Sequence, residues 1–115
     1  MKMAHVTIQT KYLEESIKFY EDLFGLAVVT DLRPMGGKIV FLANGEDETC
    51  VELIENPENP YSGAGISMGF HVEDVESYHN ELAEKGYNPS PIIRPNPNVG
   101  FFFVKDPNGV SIQFI

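Results

Sequence analysis

One cysteine, Cys50, stands in 115 residues, so no disulfide can form within the chain. A lone thiol suits a reducing compartment, and a cytoplasmic setting is the expectation. Basic residues are scarce: 8 Lys and Arg stand against 17 Asp and Glu, for a net charge of −9. Only Arg33 and Arg94 carry guanidinium groups, and no stretch clusters lysine. Nucleic-acid binding needs a basic stripe to neutralise phosphates, so that class is excluded. No apolar run approaches the length of a membrane-spanning helix, and the opening "MKMAHVTIQT" reads as a strand rather than a signal peptide or membrane anchor.

What the chain has is a pattern written twice. "AHVTIQT" (4–10) alternates, with Val6 and Ile8 on one side and His5, Thr7 and Gln9 on the other. "YLEESIKFYEDLFGL" (12–26) changes to a helical period, with Leu13, Ile17, Tyr20 and Phe24 on one stripe and Gly25 as C-cap. Strands are predicted at 27–31, 38–43 and 49–55, punctuated by Gly-Gly at 36–37 and Asn-Gly at 44–45. The Pro- and Asn-rich stretch 56–64 reads as a linker.

The order then restarts. "ISMGFHV" (66–72) is a strand, and "EDVESYHNELAEKG" (73–86) a helix with Val75, Tyr78 and Leu82 on one stripe. "PIIR" (91–94) is a short strand, "PNPNVG" (95–100) a loop, "FFFVKD" (101–106) a strand, and "VSIQFI" (110–115) the last strand after an Asn-Gly turn. An internal duplication follows, with module one at 1–55, the linker at 56–64 and module two at 65–115 within one domain. The predicted class is α+β.

Alternation sorts the strand residues into two faces. Val51, Leu53, Met68, Phe70, Val110, Ile112 and Phe114 form helix-facing apolar sets. The opposite faces carry His5, Thr7, Gln9, Cys50 and Glu52 in module one, and Ser67, Gly69, His71 and Gln113 in module two. In "FFF" (101–103), Phe102 opposes Phe101 and Phe103; one side is core, and Phe102 is taken as the ligand-facing ring. His79 reads as a surface residue. A set rich in His, Glu and Gln with small residues between suits a small-molecule site, with Gln9, Cys50, Ser67, His71, Phe102 and Gln113 as its lining.

"HVTIQTKYLEESIKFYEDLFGL", "FHVEDVESYHNELAEKG" and "DPNGVSIQFI" resemble the vicinal oxygen chelate superfamily of glyoxalase I, bleomycin-resistance proteins, extradiol dioxygenases and methylmalonyl-CoA epimerase. The resemblance covers essentially the whole chain. It implies two βαβββ modules forming a curved mixed sheet around a cavity, helices on the outer face, often as a homodimer. In metal-using members four positions hold a divalent ion of the Ni, Zn, Mn or Fe kind. Carried over, those positions are His5, Glu52, Ser67 and Gln113. His5, Glu52 and Gln113 are the implied metal donors, with Ser67 where a His is usual and Gln113 where a Glu is usual.

An amide cannot take a proton in the way the final-strand glutamate of glyoxalase-like members does, which leaves Glu52 as the candidate base. Two readings stand. One is a small-molecule binding protein of the bleomycin-resistance kind. The other is a metal-dependent lyase or isomerase resembling lactoylglutathione lyase. The incomplete quartet favours the first.

Overall fold

The computed structural model describes residues 1–115. The chain divides into two compact units, Met1–Gly63 and Ala64–Ile115. Unit one contains β1 (His5–Thr10), α1 (Leu13–Phe24), β2 (Ala27–Asp31), a 3-10 turn (Arg33–Met35), β3 (Ile39–Ala43) and β4 (Cys50–Glu55). Unit two contains β5 (Ser67–Phe70), α2 (Val75–Glu84), β6 (Ile93–Asn96), β7 (Val99–Lys105) and β8 (Ser111–Phe114). Each unit is a βαβββ motif with its own four-stranded mixed sheet, in the orders β1-β4-β3-β2 and β5-β8-β7-β6. The expectation of one curved sheet is thus met as two separate hydrogen-bonded sheets of identical topology.

In both sheets the first strand pairs in parallel with the last, and the last pairs antiparallel with the third. The parallel pair forms because the helix is the crossover that carries the chain back across the sheet. The helix buries one sheet face. In unit one, Leu13, Ile17, Tyr20 and Leu23 of α1 are buried with Ile8, Val40, Leu42, Val51 and Leu53. Tyr20 is fully enclosed, its ring 5.2 Å from those of both Phe19 and Phe24. Gly25 ends α1 in a left-handed conformation (φ +62°), and its N–H donates to the Glu21 carbonyl. Full burial of aliphatic side chains of this size is worth roughly 1.5–3 kcal/mol each, which makes this layer the main source of the unit's stability.

Unit two is built on aromatic contacts. Phe102 and Phe114 stack at 5.2 Å, and Tyr78 and His79 of α2 lie 5.1 Å from Phe114 and 5.0 Å from Phe102 respectively. Helix α2 starts at Asp74, whose carboxylate accepts from the Ser77 N–H at 3.0 Å. That bond holds the Asp74 carboxyl below its ordinary value.

Residues 56–64, read as a linker, form no helix or strand. Asn56 N–H donates to the Thr10 carbonyl, and Tyr61 N–H to the Gln9 carbonyl, so the stretch after β4 runs back along β1. Two features differ from the sequence expectation. Strand β6 runs through Pro95 to Asn96 instead of stopping at Arg94. It is an edge strand with an irregular register between Ile93 and Asn96, where a missing N–H costs no ladder bond. His79 is not a surface residue; its Nε2 lies 2.8 Å from the Ser90 carbonyl, and the Ser90 hydroxyl accepts from the Phe103 N–H. This pins the connection after α2 to β7.

Half-burial against the aromatic layer pushes the Tyr78 phenol up to about 12, with the Glu81 charge adding to the effect. A folded-state value above the unfolded one means that the Tyr78 contribution is complete below about pH 10 and is lost as pH rises through about 12. Absorbance titration of the five tyrosines should therefore show a tyrosinate phase centred near pH 12 that Tyr78→Phe removes.

Candidate functional site

The faces opposite the helices are fixed by the same alternation. With Val51 and Leu53 buried under α1, Cys50 and Glu52 point to the other side, and the parallel register sets His5 beside Cys50 and Thr7 beside Glu52. On the other flank, Phe41 of β3 is the register partner of Glu52. Glu52 is only 9% exposed despite its charge. Its Oε1 accepts a 2.5 Å hydrogen bond from the Thr7 hydroxyl and lies 3.4 Å from His5 Nε2. The His5 ring meets Phe41 edge-on at 5.7 Å. A carboxylate so enclosed needs such partners, because burying one without them costs several kcal/mol.

Two further predicted residues share this face. Cys50 is half-buried, with its thiol 3.6 Å from the Glu48 carbonyl. Gln9 is exposed, and its side-chain oxygen accepts a 2.5 Å bond from the Asn56 amide. That contact ties Gln9 to the segment returning after β4.

In unit two, Ser67 is the register partner of Ser111, and Gly69 that of Gln113. The Gln113 side chain lies across Gly69: its Oε1 would sit 3.2 Å from a Cβ at that position. Glycine here clears room for the amide rather than serving a turn. His71 lies just beyond β5, exposed, with Nδ1 3.3 Å from the Ile115 backbone oxygen. On β7, Phe103 is opposite Gln113 and Lys105 opposite Ser111. The Lys105 ammonium donates to the Ser111 hydroxyl at 2.8 Å.

Phe102 requires a correction. It is fully buried on the helix side, against Phe114, Tyr78 and His79, and lines no site on the polar face. Phe101 and Phe103 are the rings on the Gln113 side, 5.9 Å apart and edge to face. The sequence left the choice between faces of β7 open; Val104 buried two residues after Phe102 decides it. Lys105 and Ser111 join this face beyond the residues that sequence alone assigns to a site: Ser111 is the register partner of Ser67 and Lys105 that of Ser111, pairings that strand alternation by itself does not fix.

The sequence profile of the Glyoxalase/Bleomycin resistance protein/Dioxygenase superfamily matches residues 2–114. The chain belongs to that superfamily. Among its relatives, the lactoylglutathione lyase of Neisseria meningitidis serogroup A is 23% identical over 124 residues, spanning 100% of this chain and 90% of that protein. The trivalent organoarsenical cleaving enzyme of Bacillus sp. (strain MD1) is 35% identical over 86 residues, spanning 75% of this chain and 52% of that one. The solved structure of the trypanothione-dependent glyoxalase I of Leishmania major superposes with a TM-score of 0.76 at 28% identity, covering 100% of this chain and 86% of that one. No helix is long and apolar enough to cross a membrane.

Members of the superfamily commonly use divalent metals, and the residues present here can be tested against that need. Unit one supplies one imidazole and one carboxylate, already in contact with each other and with Thr7. Unit two supplies a hydroxyl and a neutral amide at the corresponding positions, Ser67 and Gln113. Nowhere do three His, Cys, Asp or Glu side chains gather as a metal-binding group. Neither unit's donors fit a tightly held divalent ion, whose selectivity rests on several charged or imidazole donors.

Thr7→Val removes the hydroxyl from a nearly buried carboxylate oxygen and should lower stability by about 1–2 kcal/mol. Thr7→Ser should restore most of it. Urea unfolding midpoints of the two variants check this.

Proposed function

We propose that this protein is a small-molecule binding member of the superfamily that works without a tightly held metal. The donor set of each unit carries this reading: one offers the His5–Glu52 pair, and the other offers a serine and an amide, Ser67 and Gln113, at the positions where the family resemblance implies an imidazole and a carboxylate. An amide neither attracts a cation as a carboxylate does nor takes a proton at any ordinary pH. It does hydrogen-bond in both directions, as does each serine hydroxyl of the same face. The polar faces, with His5, Gln9, Cys50 and Glu52 in one unit and Ser67, His71 and Gln113 in the other, are the proposed ligand contacts. A homodimer is the proposed assembly, and a small organic molecule the partner.

The second reading is a metal-dependent lyase or isomerase. Similarity to a lactoylglutathione lyase along the full chain favours it, as does the close His5–Glu52 contact. In that case Glu52 is the one carboxylate of the four positions able to act as base.

Competition with a chromophoric chelator separates the two. The wild-type protein should yield Ni²⁺, Zn²⁺ and Mn²⁺ readily to the chelator and show negligible isomerisation of the methylglyoxal–glutathione hemithioacetal. Ser67→His with Gln113→Glu should raise divalent-metal affinity by at least about tenfold, since it restores an imidazole and a carboxylate. Enzyme-like turnover by the wild type with bound metal, abolished by Gln113→Ala, would establish the second reading instead. Light scattering at micromolar concentration should give the mass of a dimer.

A further inference from the structure

Unit two holds three cationic side chains: Lys85, Arg94 and Lys105. Two are matched with acids. Lys85 pairs with Glu81, and Arg94 with Glu76 at 2.7 Å. Lys105 is held by the Ser111 hydroxyl instead. In a chain of net charge −9, an ammonium without a carboxylate partner on a sheet face is out of keeping with its surroundings.

The register defines its neighbourhood. Lys105, Ser111 and Ser67 form one row across β7, β8 and β5, so an ammonium and two hydroxyls lie side by side at strand spacing, roughly 5 Å apart. The next row holds Phe103, Gln113 and Gly69. Beyond it on β7 stands Phe101, in edge contact with Phe103. Along β7 the face therefore runs from two half-buried rings to a cation, about 7 Å separating each side chain from the next. Gly69 keeps the middle row low, leaving the Gln113 amide flat against the sheet.

We propose that this face binds a monocarboxylate with a flat apolar body, its carboxylate on Lys105, Ser111 and Ser67 and its body on Phe103 and Phe101. This deepens the small-molecule reading above and rests on it. The match is to a single negative charge: one ammonium and two hydroxyl donors balance a carboxylate, whereas a phosphate dianion calls for further cations, and the overall charge repels it.

The test is a titration of the full-length protein with phenylacetate and with its neutral analogue phenylacetamide, followed by backbone amide NMR shifts at constant salt. Phenylacetate should shift the amides of Phe103, Ser111 and Gln113 in a saturable way. Phenylacetamide should bind the same residues about tenfold more weakly, for want of one charge-assisted contact. Lys105→Met, an exposed position, should bring the acid down to the level of the amide. Lys85→Met, the same charge change on α2, should leave the preference intact. Equal binding of acid and amide by the wild type would overturn the carboxylate assignment while leaving a small-molecule face in place. Tighter binding of phenyl phosphate than of phenylacetate would overturn it too. Absence of saturable shifts with either probe would overturn it and count against the small-molecule reading as well.

Discussion

Everything on the polar faces depends on the helix holding down the opposite side of its sheet. Side chains in a strand alternate with a period of two, so a slip of one residue in β4 would bring Glu52 under α1 and turn Val51 and Leu53 out. The slip would strand a carboxylate in an apolar layer at a cost of several kcal/mol and lose the burial of two aliphatic side chains. The register is thus set by apolar burial, and the contact of Glu52 with Thr7 and His5 follows from it. The polar residues choose their partners only after the core has chosen the register.

That dependence explains which features could be read from the sequence. The βαβββ order in each half, the helix stripes and the sharing of a face by His5, Glu52 and Gln9 all rest on periodicity, which is a local property of the chain. The errors lie where a tertiary contact decides. "FFF" has apolar residues on both faces, so alternation separates Phe102 from its neighbours without saying which side the helix covers. His79 looks exposed on a helical wheel, yet a carbonyl from the chain beyond the helix draws it inward. Pro95 reads as a strand breaker, and only an edge position accommodates it. The return of residues 56–63 to β1 depends on backbone donors, which leave little trace in side-chain pattern.

The two units share topology and differ in chemistry. One presents a nearly enclosed carboxylate held by a hydroxyl and an imidazole. The other presents an ammonium, two serines and an amide at matching strands. Duplicated modules that keep their cores are free to diverge on the faces the cores do not use. Superfamily membership therefore fixes the fold and leaves the chemistry to a handful of exposed strand positions.

The strand order has a consequence for synthesis. In each unit the fourth strand is interior, lying between the first and the third, although it is the last of the unit to be made. Until it arrives, β1 or β5 has no partner, β3 or β7 has a bare edge, and the apolar underside of the helix has an incomplete floor. A nascent unit passes through a stage with two open strand edges beside exposed hydrophobic surface, the combination most prone to pairing with another chain. With the interior strand last in sequence, neither sheet can close until the whole of its unit is available to fold.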